Sequence, residues 1–148
     1  MPLFDTEERS ALRRRYCDAW RKHRDARPLD PLEDQIVAVI AEHPEYQPVI
    51  EDVDGSLSRD YGPEHGQSNP FLHMGLHLAI REQVGTDRPR GIAAIHAELC
   101  RRLGDRHAAE HRMIELLGTA LWESQRLGRP PDESAYLESL RRLAAGRR

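Results

Sequence analysis

Residues 69–80 read Asn-Pro-Phe-Leu-His-Met-Gly-Leu-His-Leu-Ala-Ile, and this stretch decides the fold class. Asn69 is a residue type that caps helix N-termini, and Pro70 suits the first helical position because the N–H it lacks would have no partner there. Apart from two histidines, the residues that follow are apolar on every side of a helix. A helix of this kind has to be surrounded by other elements, so the stretch predicts a buried central helix over residues 70–84.

Helix signals continue on both sides of this stretch, and the alternation typical of strands is nearly absent. The clearest start combines Asp30 as N-cap, Pro31 at the first helical position and Glu33 at the third, a capping box. Asp5 and Glu8 suggest a similar start for the first helix. We predict about six helices, over residues 6–26, 31–43, 70–84, 89–103, 106–127 and 132–145, with a shorter helical turn around residues 46–52.

A chain of 148 residues is expected to form one compact domain, here a single all-α bundle over residues 1–148. Residues 53–68 are rich in glycine, serine and aspartate and lack periodicity, which predicts a long loop. The loop directly precedes Asn69. It is therefore either a lid over the following helix, with Asp60 and Tyr61 as candidate ligand contacts, or a disordered insertion.

Composition excludes several classes of protein. No apolar run is long enough to cross a membrane, and the N-terminus lacks the apolar core of a secretory signal, so we expect a cytoplasmic protein. Cys17 and Cys100 are too few for a disulfide framework and lack metal-binding spacing. No phosphate-binding glycine loop and no nucleophile motif is present, so the sequence assigns no reaction and leaves open whether the protein is an enzyme.

The charge distribution argues against a dedicated nucleic-acid binder. Residues 31–70 contain one basic and nine acidic side chains, and the sequence pI is about 6.2. The first predicted helix is basic on its outer face, with Arg13, Arg14 and Arg15, but aspartates interrupt it and no aromatic platform for bases accompanies it. RNA or ribosome association is a minority hypothesis. The other partners that remain open are a small molecule or a protein.

Two pairs of histidines with the same spacing form the candidate site of this sequence. His73 and His77 are four residues apart on the central helix, and His107 and His111 repeat the spacing on the fifth predicted helix. Residues four apart share a helix face, so two facing helices can place four imidazoles around one point. This arrangement predicts a transition-metal site. Four imidazoles suit zinc, copper or nickel.

Neighbouring residues extend this candidate metal site. Glu110 and Glu115 stand close enough in sequence to act as ligands or to orient a ligating histidine, and a carboxylate ligand would favour iron or manganese. His43 closes the second predicted helix and is a further candidate ligand. The competing interpretation is that these histidines belong to a buried hydrogen-bond network of a non-enzymatic interaction protein, because two imidazoles on an apolar helix need partners in either case.

The fifth predicted helix carries a second stripe besides its core face. His107, His111, Glu115, Gly118 and Trp122 form this stripe, which is more than about 90° from the main apolar face. A solvated stripe has little need of tryptophan, and glycine costs a helix interior about 1 kcal/mol relative to alanine. The stripe is therefore predicted to meet another helix, which Gly118 would allow to approach closely.

Several segments together resemble a bacterial family known as domain of unknown function 1841. The most specific is the Asn-Pro-Phe-Leu-His string of residues 69–73; the others are Ala-Trp-Arg-Lys at 19–22, Glu-His-Pro-Glu-Tyr at 42–46, His-Ala-Ala-Glu-His at 107–111 and Pro-Pro-Asp at 130–132. The resemblance covers nearly the whole chain. It implies a small cytoplasmic bacterial protein, and it carries over no reaction, cofactor or catalytic residue.

Overall fold

The computed structural model describes residues 6–58 and 69–146. Within these ranges all regular structure is helical, with eight α-helices, a 3₁₀ turn at Pro44–Tyr46 and no strand. The helices are α1 (Thr6–Arg24), α2 (Pro31–Ala41), α3 (Gln47–Glu51), α4 (Val53–Ser58), α5 (Pro70–Thr86), α6 (Ile92–Leu103), α7 (Arg106–Leu127) and α8 (Glu133–Ala144). The all-α prediction is confirmed. None of the described helices is long and apolar enough to cross a bilayer.

The predicted number of about six helices is too low, because the helical turn predicted around residues 46–52 forms a helix of its own, α3, and α4 is an additional short helix. α4 occupies the first six residues of the segment predicted as a loop over 53–68, so that prediction is wrong for Val53–Ser58. The sequence of α4 has no apolar periodicity, and side-chain hydrogen bonds support this helix instead. Ser56 Oγ donates to the Val49 carbonyl, and Ser58 Oγ donates to the Asp54 carbonyl at 2.9 Å. Residues 59–68, with Asp60, Tyr61 and the proposed lid, lie outside the described residues.

The predicted helix caps are present where the structure describes them. Asp30 and Glu33 form the reciprocal capping box of α2. Asn69 Oδ1 accepts from the backbone of Phe71 at 3.0 Å and of Leu72 at 3.2 Å, which satisfies the first turn of α5. Asp5 and the side chain of Glu8, the predicted start of α1, fall outside the described part of the chain.

The chain divides into two compact units, with the boundary between Gly75 and Leu76. In the first unit, α2, α3 and α4 each pack on α1. Buried Arg13 on α1 donates to the carbonyl of Ser56 at 2.9 Å and lies 5.1 Å from the centre of the Phe71 ring. The apolar core of this unit contains Tyr16, Cys17, Ala19, Trp20, Ile36, Val37, Val39, Ile40, Ile50, Phe71 and Met74. The prediction of one domain remains a prediction.

The second unit is built on α6, α7 and α8, which pack against one another. Tyr136 on α8 donates from its hydroxyl to Gln83 Oε1 at 2.8 Å and thereby ties α8 to the end of α5. Gly104 ends α6 in the left-handed conformation, with φ of 70°, and Asp105 then caps α7. The core residues are Ile80, Ile92, Ile95, Leu99, Ala109, Met113, Ile114, Leu117, Tyr136, Leu140 and Ala144.

Helix α5 is the helix predicted to be buried on every side. Its chain begins in the first unit and continues past Gly75 into the second. Met74, His77 and Ile80 are buried, but Leu72 is 61% exposed. Leu72 lies about 160° around the helix from Met74. The expectation of burial all round is therefore wrong at Leu72, although the buried face is the one that carries His77.

Candidate functional site

Three of the predicted ligands meet in the second unit. His77 projects from α5, and His107 and His111 project from the first turns of α7, where the Asp105 cap begins the helix. The His77 ring lies 5.1 Å from the His107 ring and 4.9 Å from the His111 ring, measured between centroids. The two rings on α7 are 4.4 Å apart. The predicted four-residue spacing therefore presents both α7 imidazoles to one histidine of α5.

A buried carboxylate holds one member of this cluster. His77 is fully buried and Glu110 is 1% exposed, and the His77 Nδ1 atom lies 2.7 Å from Glu110 Oε1. Arg81 Nε contacts both oxygens of the same carboxylate, at 3.2 and 3.1 Å. Arg106 Nε reaches Glu110 Oε2 at 3.4 Å. The Glu110 carboxylate thus accepts hydrogen bonds from three side chains.

The electrostatics of Glu110 determine which nitrogen of His77 carries the proton. Burial opposes ionisation of Glu110, but hydrogen bonds from His77 and Arg81 and the Arg81 charge outweigh it and lower the pKa of Glu110 to about 2. An ionised carboxylate only accepts hydrogen bonds, so His77 Nδ1 must donate. The lone pair of a neutral His77 ring is then on Nε2, which is the nitrogen that would coordinate a metal ion.

The three histidines are close enough to hold one ion. One ring nitrogen of each lies within 4.8 Å of those of the other two. Ligand nitrogens of a tetrahedral zinc site are about 3.3 Å apart for bonds of about 2.0 Å, so ring movements of about an ångström complete such a site. A carboxylate that receives the second N–H of a ligating histidine is a common feature of protein metal sites. Glu110 occupies that position behind His77.

The other predicted ligands, His43 and His73, belong to the first unit. His43 is buried, and its Nδ1 lies 2.8 Å from the Val39 carbonyl one turn back in α2. Its ring stacks on Tyr46 at 5.2 Å and meets the His73 ring edge-on at 5.1 Å. These three rings form an aromatic cluster. The sequence interpretation did not assign Tyr46 to a site, because its contact with His73 joins residues that are distant along the chain.

Glu115 lies on an exposed part of α7. Its side chain is 72% exposed, and Arg112 Nε lies 4.0 Å from its carboxylate. The structure gives it no place among the three clustered histidines.

A further histidine, His96, lies on α6. Its Nε2 atom is 3.5 Å from the sulfur of Cys100. Burial lowers the pKa of His96 and raises the pKa of Cys100.

Arg81 is the residue of this cluster that the sequence interpretation missed. It follows His77 by four residues, so the helical spacing placed both side chains on one face. That spacing could have identified Arg81, because a carboxylate buried beside His77 needs a cation to compensate its charge, and Arg81 lies on the same helix face. Arg106 gave a similar signal four residues before Glu110.

The family described as domain of unknown function (DUF1841) matches residues 8–142. No curated protein matches the chain, and no protein of known structure matches it either. The matched range contains His77, Arg81, His107, Glu110 and His111, so the clustered residues all lie within the family's domain. The chain therefore belongs to the family of domain of unknown function 1841.

Proposed function

We propose that the protein binds a transition-metal ion through His77, His107 and His111. The observation that carries the proposal is the fully buried His77, held through Nδ1 by Glu110 while its ring faces the two imidazoles of α7. A histidine buried only for packing does not require two further imidazoles beside it. Three imidazoles around one point are a ligand set used by transition metals.

Glu110 serves in this proposal as the group that orients His77 rather than as a ligand. Both of its oxygens are engaged by Arg81, and one also by His77. The donor set is then nitrogen alone, which suits zinc, copper, nickel or iron(II) and disfavours manganese. The expected consequence of replacing Glu110 is weaker metal binding, by about 10- to 100-fold, as for other residues that orient ligands.

Metal analysis of the full, untagged chain tests the proposal. We expect one ion per chain by elemental analysis, after purification without chelators and without a metal-affinity step. His107→Ala and His111→Ala should lose it, and these two test the site even where His77→Ala fails to fold, because both side chains are only partly buried. His96→Ala is the matched control and should keep its metal. Sub-stoichiometric metal that is the same in all four variants would overturn the proposal.

His43 and His73 remain candidate ligands on the sequence pattern alone. The same elemental analysis of His43→Ala and His73→Ala measures whether either contributes. Loss of metal in one of them, with wild-type helicity by circular dichroism, would add that residue to the ligand set. Unchanged metal content would limit the ligands to the three histidines of the second unit.

A second candidate is that the histidines form only a structural network in an interaction protein. The observation in its favour is that Arg81 and His77 already compensate the buried Glu110 carboxylate. Thermal unfolding separates the two candidates. A metal site predicts a melting temperature that falls with a chelator and recovers with added metal, because a ligand that binds only the folded state stabilises it. A melting temperature that does not change with the chelator supports the structural network of histidines.

A further inference from the structure

The C-terminal half of α7 exposes a stripe of four residues that the proposed metal site does not use. The stripe consists of Glu115, Gly118, Trp122 and Arg126, spaced three or four apart and hence on one side of the helix. Trp122 is 61% exposed, and the Arg126 guanidinium lies 5.2 Å from the centre of its ring. We call these four residues the α7 stripe.

Gly118 is the second unusual feature of the α7 stripe. A Cβ atom added there would have no heavy atom within 4 Å among the described residues outside its own helix. Neither a close approach within the described chain nor a positive φ explains a glycine that weakens the helix. A glycine beside an exposed indole instead forms a shallow hollow next to a large apolar knob. The sequence analysis predicted that Gly118 and Trp122 meet another helix, but no described helix of the chain covers them, and the hollow is open for one.

The charges of the α7 stripe indicate which helix fits. In an antiparallel pair of α7 helices, Trp122 of each copy faces Gly118 of the other when the helices cross near Ala120. The same crossing places Glu115 of each copy opposite Arg126 of the other, since that pair is also centred beside Ala120. A parallel pair would instead place Glu115 opposite Glu115 and Arg126 opposite Arg126, so that like charges would face each other. The stripe is therefore complementary to itself in shape and in charge in one antiparallel register.

We propose that two copies of the chain associate through the α7 stripe as an antiparallel, symmetric pair. Each Trp122 indole covers the Gly118 backbone of the second copy, and Glu115–Arg126 ion pairs flank this contact. Tryptophan and arginine are the residue types most often found to dominate association energies. The proposal uses no property of the histidine cluster and stands whether or not a metal is bound.

Sedimentation velocity of the full chain over a concentration series is the test. Wild type should show a monomer–dimer equilibrium. Trp122→Ala and Gly118→Leu should each raise the dimer dissociation constant by about tenfold or more. Gly118→Leu is informative because a Cβ atom added at this position meets no described heavy atom within 4 Å outside the nearby backbone of α7, so the new side chain starts into the hollow. Leucine also favours a helix more than glycine does, so the variant should keep the monomer fold.

Charge reversal supplies the control for register. Glu115→Arg and Arg126→Glu should each weaken the dimer, and the double variant should restore it because the opposite charges are exchanged. Glu123→Arg, about 100° around α7 from Trp122, and Leu127→Ala, about 140° from it, should leave the dimer unchanged. A chain that is still monomeric at about 1 mM would overturn the proposal, because this result excludes association stronger than about 4 kcal/mol. So would a dimer insensitive to Trp122→Ala.

Discussion

At the scale of single residues, Glu110 is the side chain on which the most interactions depend. It is buried, accepts from His77, and is balanced by the Arg81 guanidinium on the same helix as that histidine. A buried ion pair is costly to break from one side, because the remaining charge stays in a poorly solvated place. The network therefore constrains how α5 and α7 pair within the second unit, whatever ligand the histidines hold.

Replacing Glu110 with glutamine should lower the free energy of unfolding by about 1–3 kcal/mol. The amide keeps the shape but removes the charge that Arg81 requires, and its NH₂ group opposes the arginine donors. Urea unfolding followed by circular dichroism in the presence of a chelator measures this without any metal contribution. Glu138→Gln, an exposed carboxylate paired with Arg142 at 3.7 Å, is the matched control and should stay within about 0.5 kcal/mol of wild type.

At the scale of elements, the helix starts are specified by short-range signals. The Asp30 side chain accepts from the Glu33 backbone N–H at 2.8 Å, and the Glu33 carboxylate accepts from the Asp30 backbone N–H at 3.0 Å. Asp132 similarly accepts from Ala135 at 3.0 Å at the start of α8. Such bonds involve residues within one turn, so they can be predicted from a sequence window without knowledge of the rest of the chain.

Asp30→Ala should destabilise the protein by about 0.5–2 kcal/mol, because the first turn of α2 loses its cap and Glu33 loses half of the reciprocal pair. Chemical denaturation measures the change. Asp34→Ala is the control: the residue lies in the same first turn and is exposed, so it should cost less than the cap. Equal losses in the two variants would indicate that the helix dipole, and not the capping bond, is responsible.

At the scale of the whole molecule, the described residues of each compact unit include a buried tyrosine whose ionisation is linked to folding. Burial raises the pKa of Tyr16 in the first unit to about 12. Burial likewise raises the pKa of Tyr136 in the second unit to about 12, against the lowering effect of its hydrogen bond to Gln83. In the unfolded chain both return to about 10. Each tyrosine therefore contributes stability that is complete below pH 10 and lost as the pH rises towards 12.

Tyr136→Phe should flatten the alkaline decline of stability. Up to about 2–3 kcal/mol of the decline between pH 10 and 12 belongs to this group on the linkage relation, because each pKa unit corresponds to about 1.4 kcal/mol. Unfolding free energies of wild type and variant at pH 8 and pH 11 measure the difference in slope, and absorbance titration of tyrosinate reports the ionisation directly. Identical slopes would show that Tyr136 ionises in the folded protein as it does in the unfolded chain.

Much of the fold could be predicted because helices are governed by local periodicity and caps. The α2, α5, α7 and α8 starts follow from one capping residue each, and all regular structure described is helical, as expected. The short helix α3 lies within the helical turn predicted around residues 46–52, whereas α4 was predicted as part of a loop. α4 has no apolar period of its own and depends on serine hydroxyl bonds and on Arg13, which is 43 residues from Ser56.

By itself, the sequence determined the all-α class, the family and the four-residue spacing that presents His107 and His111 together on α7. Tertiary structure alone decided that Glu110, 33 residues from His77, holds that ring, and that Arg81 balances the carboxylate. It also decided that the α7 stripe stays open among the described residues, with Trp122 exposed. The reason is physical: periodicity and capping act within a few residues, whereas the partner of a buried charge is selected by how distant segments pack.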